Sequence, residues 1–135
     1  MSLYMLDTNM VSFGLRGDAD VDVQLRSLAP SDWCISAITC AELLYGVERR
    51  PAAAKLRRMV DGFLQIARVA PWDQPAAIQH ARVRHQLKLQ GTPIGDFEEM
   101  IAGHALSMGA VLVTDNVKHF DRVDGLVLEN WLRRP

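Results

Sequence analysis

Only two cysteines occur in the chain's 135 residues, Cys34 and Cys40, and neither has a spacing that suits zinc. A disulfide scaffold and a structural zinc site are thereby excluded, and both residues are expected to be buried free thiols of a cytoplasmic protein. No apolar run approaches the roughly 20 residues needed to cross a bilayer. No basic-then-apolar leader precedes Asp7, and residues 1–6 already read as a core strand, so neither a membrane span nor a cleaved signal is expected. Glycine-rich phosphate loops are missing, as is any legible Ser-His-Asp or Cys-His arrangement, which argues against a covalent enzyme intermediate. Repeats, low-complexity tracts and linkers are also missing. The net charge of −1 by itself suggests no polyanionic partner.

What is present is a globular composition, 49% hydrophobic and 23% charged, in a chain long enough to bury about two-thirds of its unfolded surface. One domain spanning residues 1–135 is expected. Residues 3–6 form a short apolar run, after which Thr8 or Asn9 can cap a helix. Residues 20–28 carry a modest helix ended by Pro30. Trp33, Cys34 and Ile35 read as a second strand, with Ser36 capping a helix that runs to about Arg50. Pro51 is expected to open the next helix, whose apolar stripe is Leu56, Met59, Val60, Phe63 and Leu64. Val69 and Ala70 form a brief strand, and Asp73 caps a helix reaching Leu89, stopped by Gly91 and Pro93. A further helix covers residues 96–108, with Phe97, Met100, Ile101, Ala105 and Met108 as its apolar face. Residues 110–114 are a continuous β-branched strand, residues 117–121 a turn or helical stub, and 126–128 a last edge strand. Strands alternating with helices predict an α/β fold with a short central parallel sheet and helices on both faces, three layers in all.

Several acidic residues stand where strands give way to helices or loops. Asp7 closes the first strand, Glu42 lies in the helix after the second, Asp96 and Glu98 head a helix, and Asp115 follows the strand at 110–114. The carboxyl ends of neighbouring parallel strands open onto one crevice. Carboxylates gathered there repel one another by roughly 4 kcal/mol per pair at 4 Å near a surface unless a cation holds them. A bound divalent metal is the expected reason for the pattern. Between Arg49 and Gly91, nine Lys/Arg face only Asp61 and Asp73, and a basic middle beside an acidic centre suits an enzyme acting on a phosphate backbone.

Three phrases stand in order along the chain. They are Met5-Leu6-Asp7-Thr8-Asn9, the run from Ile35 to Gly46 containing Glu42, and Ile94-Gly95-x-x-Glu98-x-x-Ile101-Ala102-Gly103-His104-Ala105 continuing to Val113-Thr114-Asp115-Asn116. With the ending Phe120-x-x-Val123-x-Gly125-Leu126-x-x-Glu129-Asn130-Trp131, the chain closely resembles the PIN-domain ribonucleases, specifically the VapC-type toxins of bacterial toxin–antitoxin pairs, from Leu6 to Trp131. The resemblance implies a PIN-like parallel sheet and an acidic pocket holding Mg²⁺ or Mn²⁺. It also implies RNA cleavage with tRNA, particularly initiator tRNA, as leading substrate, a homodimer, and a cognate VapB-type antitoxin as inhibitor. Asp7 and Glu42 match the first two family carboxylates. The third is ordinarily Asp and falls on Glu98, while Asp96 stands where Pro is usual. The fourth position falls at Thr114-Asp115-Asn116, with Asn116 favoured by alignment and Asp115 an extra carboxylate beside it.

The expected site is therefore Asp7, Glu42, Glu98 and Asp115, with the metal on Asp7, Glu42 and Glu98. Asp96 and Asn116 are alternatives, and Glu98 is preferred over Asp96 as third ligand. Thr8, Ser36 and Thr114 are expected to hydrogen-bond the carboxylates or to cap helices. Arg49, Arg57, Arg82 and Arg84 are expected to follow RNA phosphates. Glu99 reads as a helix-dipole partner, His104 as a packed helix residue, and no ligand spacing links the four histidines. The helices over 52–66 and 74–89 are expected to offer an antitoxin surface, with Met10, Phe13 and Trp33 as candidates for an exposed groove. The rival reading is a PIN-fold protein that binds RNA or antitoxin without turnover.

Overall fold

The computed structural model of the chain describes residues 2–132. Five strands form one fully parallel sheet in the order β3-β2-β1-β4-β5. They are β1 (Tyr4–Leu6), β2 (Trp33–Ser36), β3 (Val69–Ala70), β4 (Val111–Val113) and β5 (Leu128–Glu129). Seven helices accompany them among the described residues: α1 (Thr8–Leu15), α2 (Ala19–Arg26), α3 (Ala37–Glu48), α4 (Ala54–Ile66), α5 (Gln74–Gln90), α6 (Asp96–Met108) and α7 (Val117–Phe120).

Alternation along each strand sorts the core onto two faces. Leu6, Ile35 and Val113 pack with Met10, Leu43, Val60 and Phe63, so α1 to α4 cover one side. Met5, Cys34 and Leu112 pack with Val83, Leu87, Ile101, Ala105 and Phe120, so α5 to α7 cover the other. The expected three layers are present. Cys34 is buried and Cys40 half-buried, and both are free.

The closest helix packing is between α5 and α6. A Cβ on Gly103 would come within 2.6 Å of the His80 backbone, so glycine is what lets the two helices touch. Gly91 and Gly109 end α5 and α6 in the left-handed region, at φ 67° and 61°.

Several boundaries differ from expectation. Asp7, rather than Thr8 or Asn9, caps α1, its Oδ1 accepting from Met10 N–H at 2.8 Å. Helix α4 begins at Ala54, not Pro51, because residues 51–52 lie in a turn and Ala53 brings no side-chain cap. The last strand slips from 126–128 to Leu128–Glu129. Leu126 packs into the core under α6 and Val127 faces outward, so an apolar triplet misled the register. Phe97 lies 56% exposed, off the buried face of α6. Met10 and Trp33 are core residues, not groove residues, and Trp33 stacks on Phe63 at 5.8 Å.

Candidate active site

Register alone aligns three of the expected residues. Leu6 pairs with Ile35 on one side and with Val113 on the other. One residue further on, Asp7, Ser36 and Thr114 stand in a row where the three central strands end. The chain turns from β1 to β2 on one side and to β4 on the other, so this row lies at the sheet's topological switch point, where open α/β sheets bind ligands.

Asp7 is 5% exposed. Its pKa is raised to about 6, first by burial and then by the nearby charges of Glu98 and Glu42, against the lowering effect of hydrogen bonds from Thr114 and Met10 N–H. Those couplings bring Asp7, Glu42 and Glu98 into one electrostatic group. Glu42 is fixed by α3, and its Oε1 accepts a 2.5 Å bond from the Thr8 hydroxyl, which also lies 3.2 Å from the hydroxyl of Thr39.

Glu98 stands at the third residue of α6. Its Oε1 accepts from Gly95 N–H at 3.2 Å in a capping box, and its Oε2 accepts from Asn116 Nδ2 at 2.7 Å. The Asn116 backbone is in turn set by Thr114, whose Oγ1 accepts its N–H at 2.9 Å.

The two alternatives separate clearly. The Asp96 side chain is 86% exposed and lies 3.9 Å from Arg84, whereas the Glu98 side chain is 31% exposed and turned toward Asn116. Asp115 is exposed and accepts from Asn130 Nδ2 at 3.0 Å, so the structure does not bring it to the other carboxylates. Ser36 is engaged elsewhere: its Oγ accepts from Ile38 N–H and bonds His104 Nδ1 at 2.8 Å.

Two residues near the site stand apart from their expected roles. His119 Nδ1 lies 3.1 Å from Glu98 Oε2 and 2.9 Å from Asn116 Nδ2. Glu99, in the first turn of α6 as expected of a helix-dipole partner, is also 3% exposed and paired with Arg84 at 3.6 Å. The three-residue spacing of Asn116 and His119, one helical turn, was the available clue to the first.

Among the described residues, no three His, Cys, Asp or Glu side chains converge closely enough to hold a metal as they stand. The donor set nonetheless fits one: Asp7, Glu42, Glu98 and the amide of Asn116 offer oxygens, the chemistry that Mg²⁺ and Mn²⁺ take. The pKa of Asp7 is raised first by its burial, and the charges of Glu98 and Glu42 add to that rise.

Beside this centre runs a groove of about 900 Å³ between α1, α3 and α4. Thr8 and Glu42 lie at its edge, Leu15, Leu43, Leu56 and Met59 give it an apolar wall, and Arg16, Arg49 and Arg50 add positive charge. Arg49 also lies over the Tyr45 ring at 5.8 Å. Arg57 pairs with Glu48 at 3.7 Å, Arg84 is tied to the head of α6, and Arg82 is exposed on α5. Of the two helices expected to offer an antitoxin surface, α4 lines this groove and α5 packs on α6.

Residues 4–126 match the PIN domain family. The chain is 39% identical over 131 residues to a tRNA(fMet)-specific endonuclease VapC of Salmonella typhimurium, an alignment spanning 97% of this chain and 99% of that one. It is 34% identical over 131 residues to ribonuclease VapC2 of Rickettsia felis, across 96% of this chain and 98% of that one. The crystal structure of DNA-bound VapBC from Salmonella typhimurium superposes with a TM-score of 0.91 at 38% identity, covering 98% of this chain and 100% of that one. The parallel sheet with its acidic centre and the likeness along almost the full length agree: the chain belongs to the PIN-domain family, among its VapC ribonucleases.

Proposed function

We propose that this chain, as a single PIN domain, is a Mg²⁺-dependent endoribonuclease toxin that hydrolyses phosphodiester bonds in tRNA, initiator tRNA first among them. The observation that carries the reading is Asp7 at the carboxyl end of β1, with Glu42 of α3 and Glu98 of α6 near enough for their charges to act on it. Asp7, Glu42 and Glu98, with Asn116 alongside, are the residues that would hold Mg²⁺, or Mn²⁺ in its place. When bound, such an ion supplies Lewis acidity at phosphate and a water of lowered pKa.

The chain's own residues do the rest. Met10 N–H and the Thr114 hydroxyl orient Asp7, and Thr8 orients Glu42. A carboxylate oxygen left free by these bonds accepts the proton of the attacking water, without a covalent intermediate. Arg49, with Arg16 and Arg50 along the groove, meets RNA phosphates. The substrate assignment rests on the specificity named for the Salmonella relative.

A VapB-type antitoxin as partner is supported by the VapBC complexes among the structural neighbours; a homodimer and a cytoplasmic location complete the proposal. A second reading, binding without turnover, draws on one observation: both Glu98 oxygens are already engaged, by Gly95 and by Asn116. Incubating the purified chain with initiator and elongator tRNAs in Mg²⁺ separates the two. Selective cleavage of the initiator is expected; equal cleavage of all tRNAs would remove the substrate assignment, and no cleavage in Mg²⁺ or Mn²⁺ would favour the binding reading.

A further inference from the structure

The site contains a nitrogen that an all-carboxylate centre does not have. His119 Nδ1, Glu98 Oε2 and Asn116 Nδ2 form a triangle with sides of 2.7, 2.9 and 3.1 Å. Hydrogen bonding alone does not account for it. The two hydrogens of an amide NH₂ diverge by roughly 120°, far more than the angle that a near-equilateral triangle opens at Asn116. The amide hydrogens can reach both neighbours only through bent bonds, and whichever way the Nδ1 proton is placed, one edge of the triangle is left as a close approach of two polar atoms with no proton between them.

A different partner satisfies all three at once. Neighbouring donors around an octahedral divalent ion with bonds of about 2.1 Å stand about 3 Å apart, the spacing seen on every edge. Half a turn of the Asn116 amide puts its oxygen where Nδ2 now lies and completes a carboxylate–amide–imidazole face. The face is reachable from solvent, since the His119 and Glu98 side chains are 43% and 31% exposed. Asp7 lies close enough to Glu98 for their charges to interact, so the face belongs to the acidic centre and not to a separate pocket.

We infer that His119, through Nδ1, is a metal ligand of this centre together with Glu98 and Asn116, and that the site consequently prefers Mn²⁺ or Co²⁺ to Mg²⁺. Imidazole binds first-row transition ions well, whereas Mg²⁺ takes oxygen. The inference rests on the reading that the centre holds a divalent cation.

Pulsed electron paramagnetic resonance of the Mn²⁺-loaded protein reports nitrogen coordination directly, and Mn²⁺ and Mg²⁺ titrations report preference. In the parent, ¹⁴N modulation from one imidazole is expected, with Mn²⁺ bound at least tenfold more tightly than Mg²⁺. His119→Ala should lose the modulation and most of the Mn²⁺ advantage while changing Mg²⁺ affinity less than threefold. His119→Asp, a hard oxygen in place of nitrogen, should bring the preference back toward Mg²⁺. Because His119 is half exposed, unchanged melting temperatures of the metal-free variants are expected and would exclude misfolding. Bound Mn²⁺ with no ¹⁴N modulation in the parent, or a modulation that survives His119→Ala, would overturn the ligand role and leave the carboxylate centre standing. A parent that binds neither ion would overturn both together.

Discussion

Ser36 and His104, 68 residues apart, are joined by a 2.8 Å hydrogen bond between Oγ and Nδ1 in the buried interior. The bond ties the end of β2 to the middle of α6, the helix that carries Glu98. Ser36 Oγ also accepts from Ile38 N–H, so its own hydrogen is directed at His104 Nδ1, and the second ring nitrogen donates to the Pro71 carbonyl. Neutral imidazole satisfies every partner in this chain.

A pH dependence follows. Burial pushes the His104 pKa down, against the smaller raising effects of Asp73 and the Pro71 carbonyl. A histidine depressed in the folded state stabilises the fold above its ordinary value near 6.5 and withdraws that stability as pH falls through its folded value. Measured against His104→Gln, the parent should lose melting temperature as pH falls below about 6.5, a difference that cancels the opposite effect of Asp7 common to both proteins, and the variant should be less stable at pH 7. Parallel melting curves for the two would remove His104 as the source.

Asp7 has the opposite sign. Its carboxyl is raised from 3.8 to about 6, so its contribution is complete below pH 3.8 and is lost as pH rises through about 6, a cost of about 3 kcal/mol at neutral pH without metal. Asp7→Asn removes the charge and keeps an N-cap for α1. The metal-free variant should equal or exceed the parent in melting temperature at pH 7.5, and Mn²⁺ should raise only the parent's. A parent unmoved by millimolar Mn²⁺ would contradict the metal site.

At the third ligand position, Glu98→Asp should retain cleavage, and Glu98→Gln should lose most of it, each tenfold loss being about 1.4 kcal/mol of barrier. Asp96→Asn should cost less than threefold, because Asp96 is exposed and turned to Arg84. An inactive Asp96→Asn beside an active Glu98→Gln would reverse the two roles.

The arginines divide into two kinds. Arg49→Ala, in the groove, should weaken RNA binding and lower the salt slope by about 0.7–0.9 with little effect on stability. Arg84→Ala should instead lower stability by on the order of 1–3 kcal/mol, since it leaves Glu99 buried without its counter-ion. Matching effects on the salt slope from both would show that Arg84 also tracks phosphate.

Much of the layout is legible in the sequence because short apolar strands ended by a polar residue, and helices ended by glycine, are local signals. The strand closed by Asp7, the caps Ser36 and Asp73, and the span of α6 are of this kind. What stayed hidden depends on partners distant in sequence. Phe97 has the spacing of a core residue, yet the fold leaves it exposed beside the groove of α1, α3 and α4. Gly103 looks like a weak point in a helix until His80 is brought against it. Glu99 reads as a helix-dipole partner until Arg84 arrives from the neighbouring helix. Asp115 and Asn116 are adjacent letters, and only the fold turns one to Asn130 and the other to Glu98.

The most direct measurement is cleavage of initiator tRNA by the purified chain after chelation, with Mg²⁺ or Mn²⁺ then restored, beside Asp7→Asn treated identically. A carboxylate-centred, metal-dependent nuclease predicts no cutting after chelation, recovery on adding either ion, and at least a hundredfold loss in the variant at every metal concentration. Cleavage that persists in chelator, or that Asp7→Asn carries out as well as the parent, would contradict it.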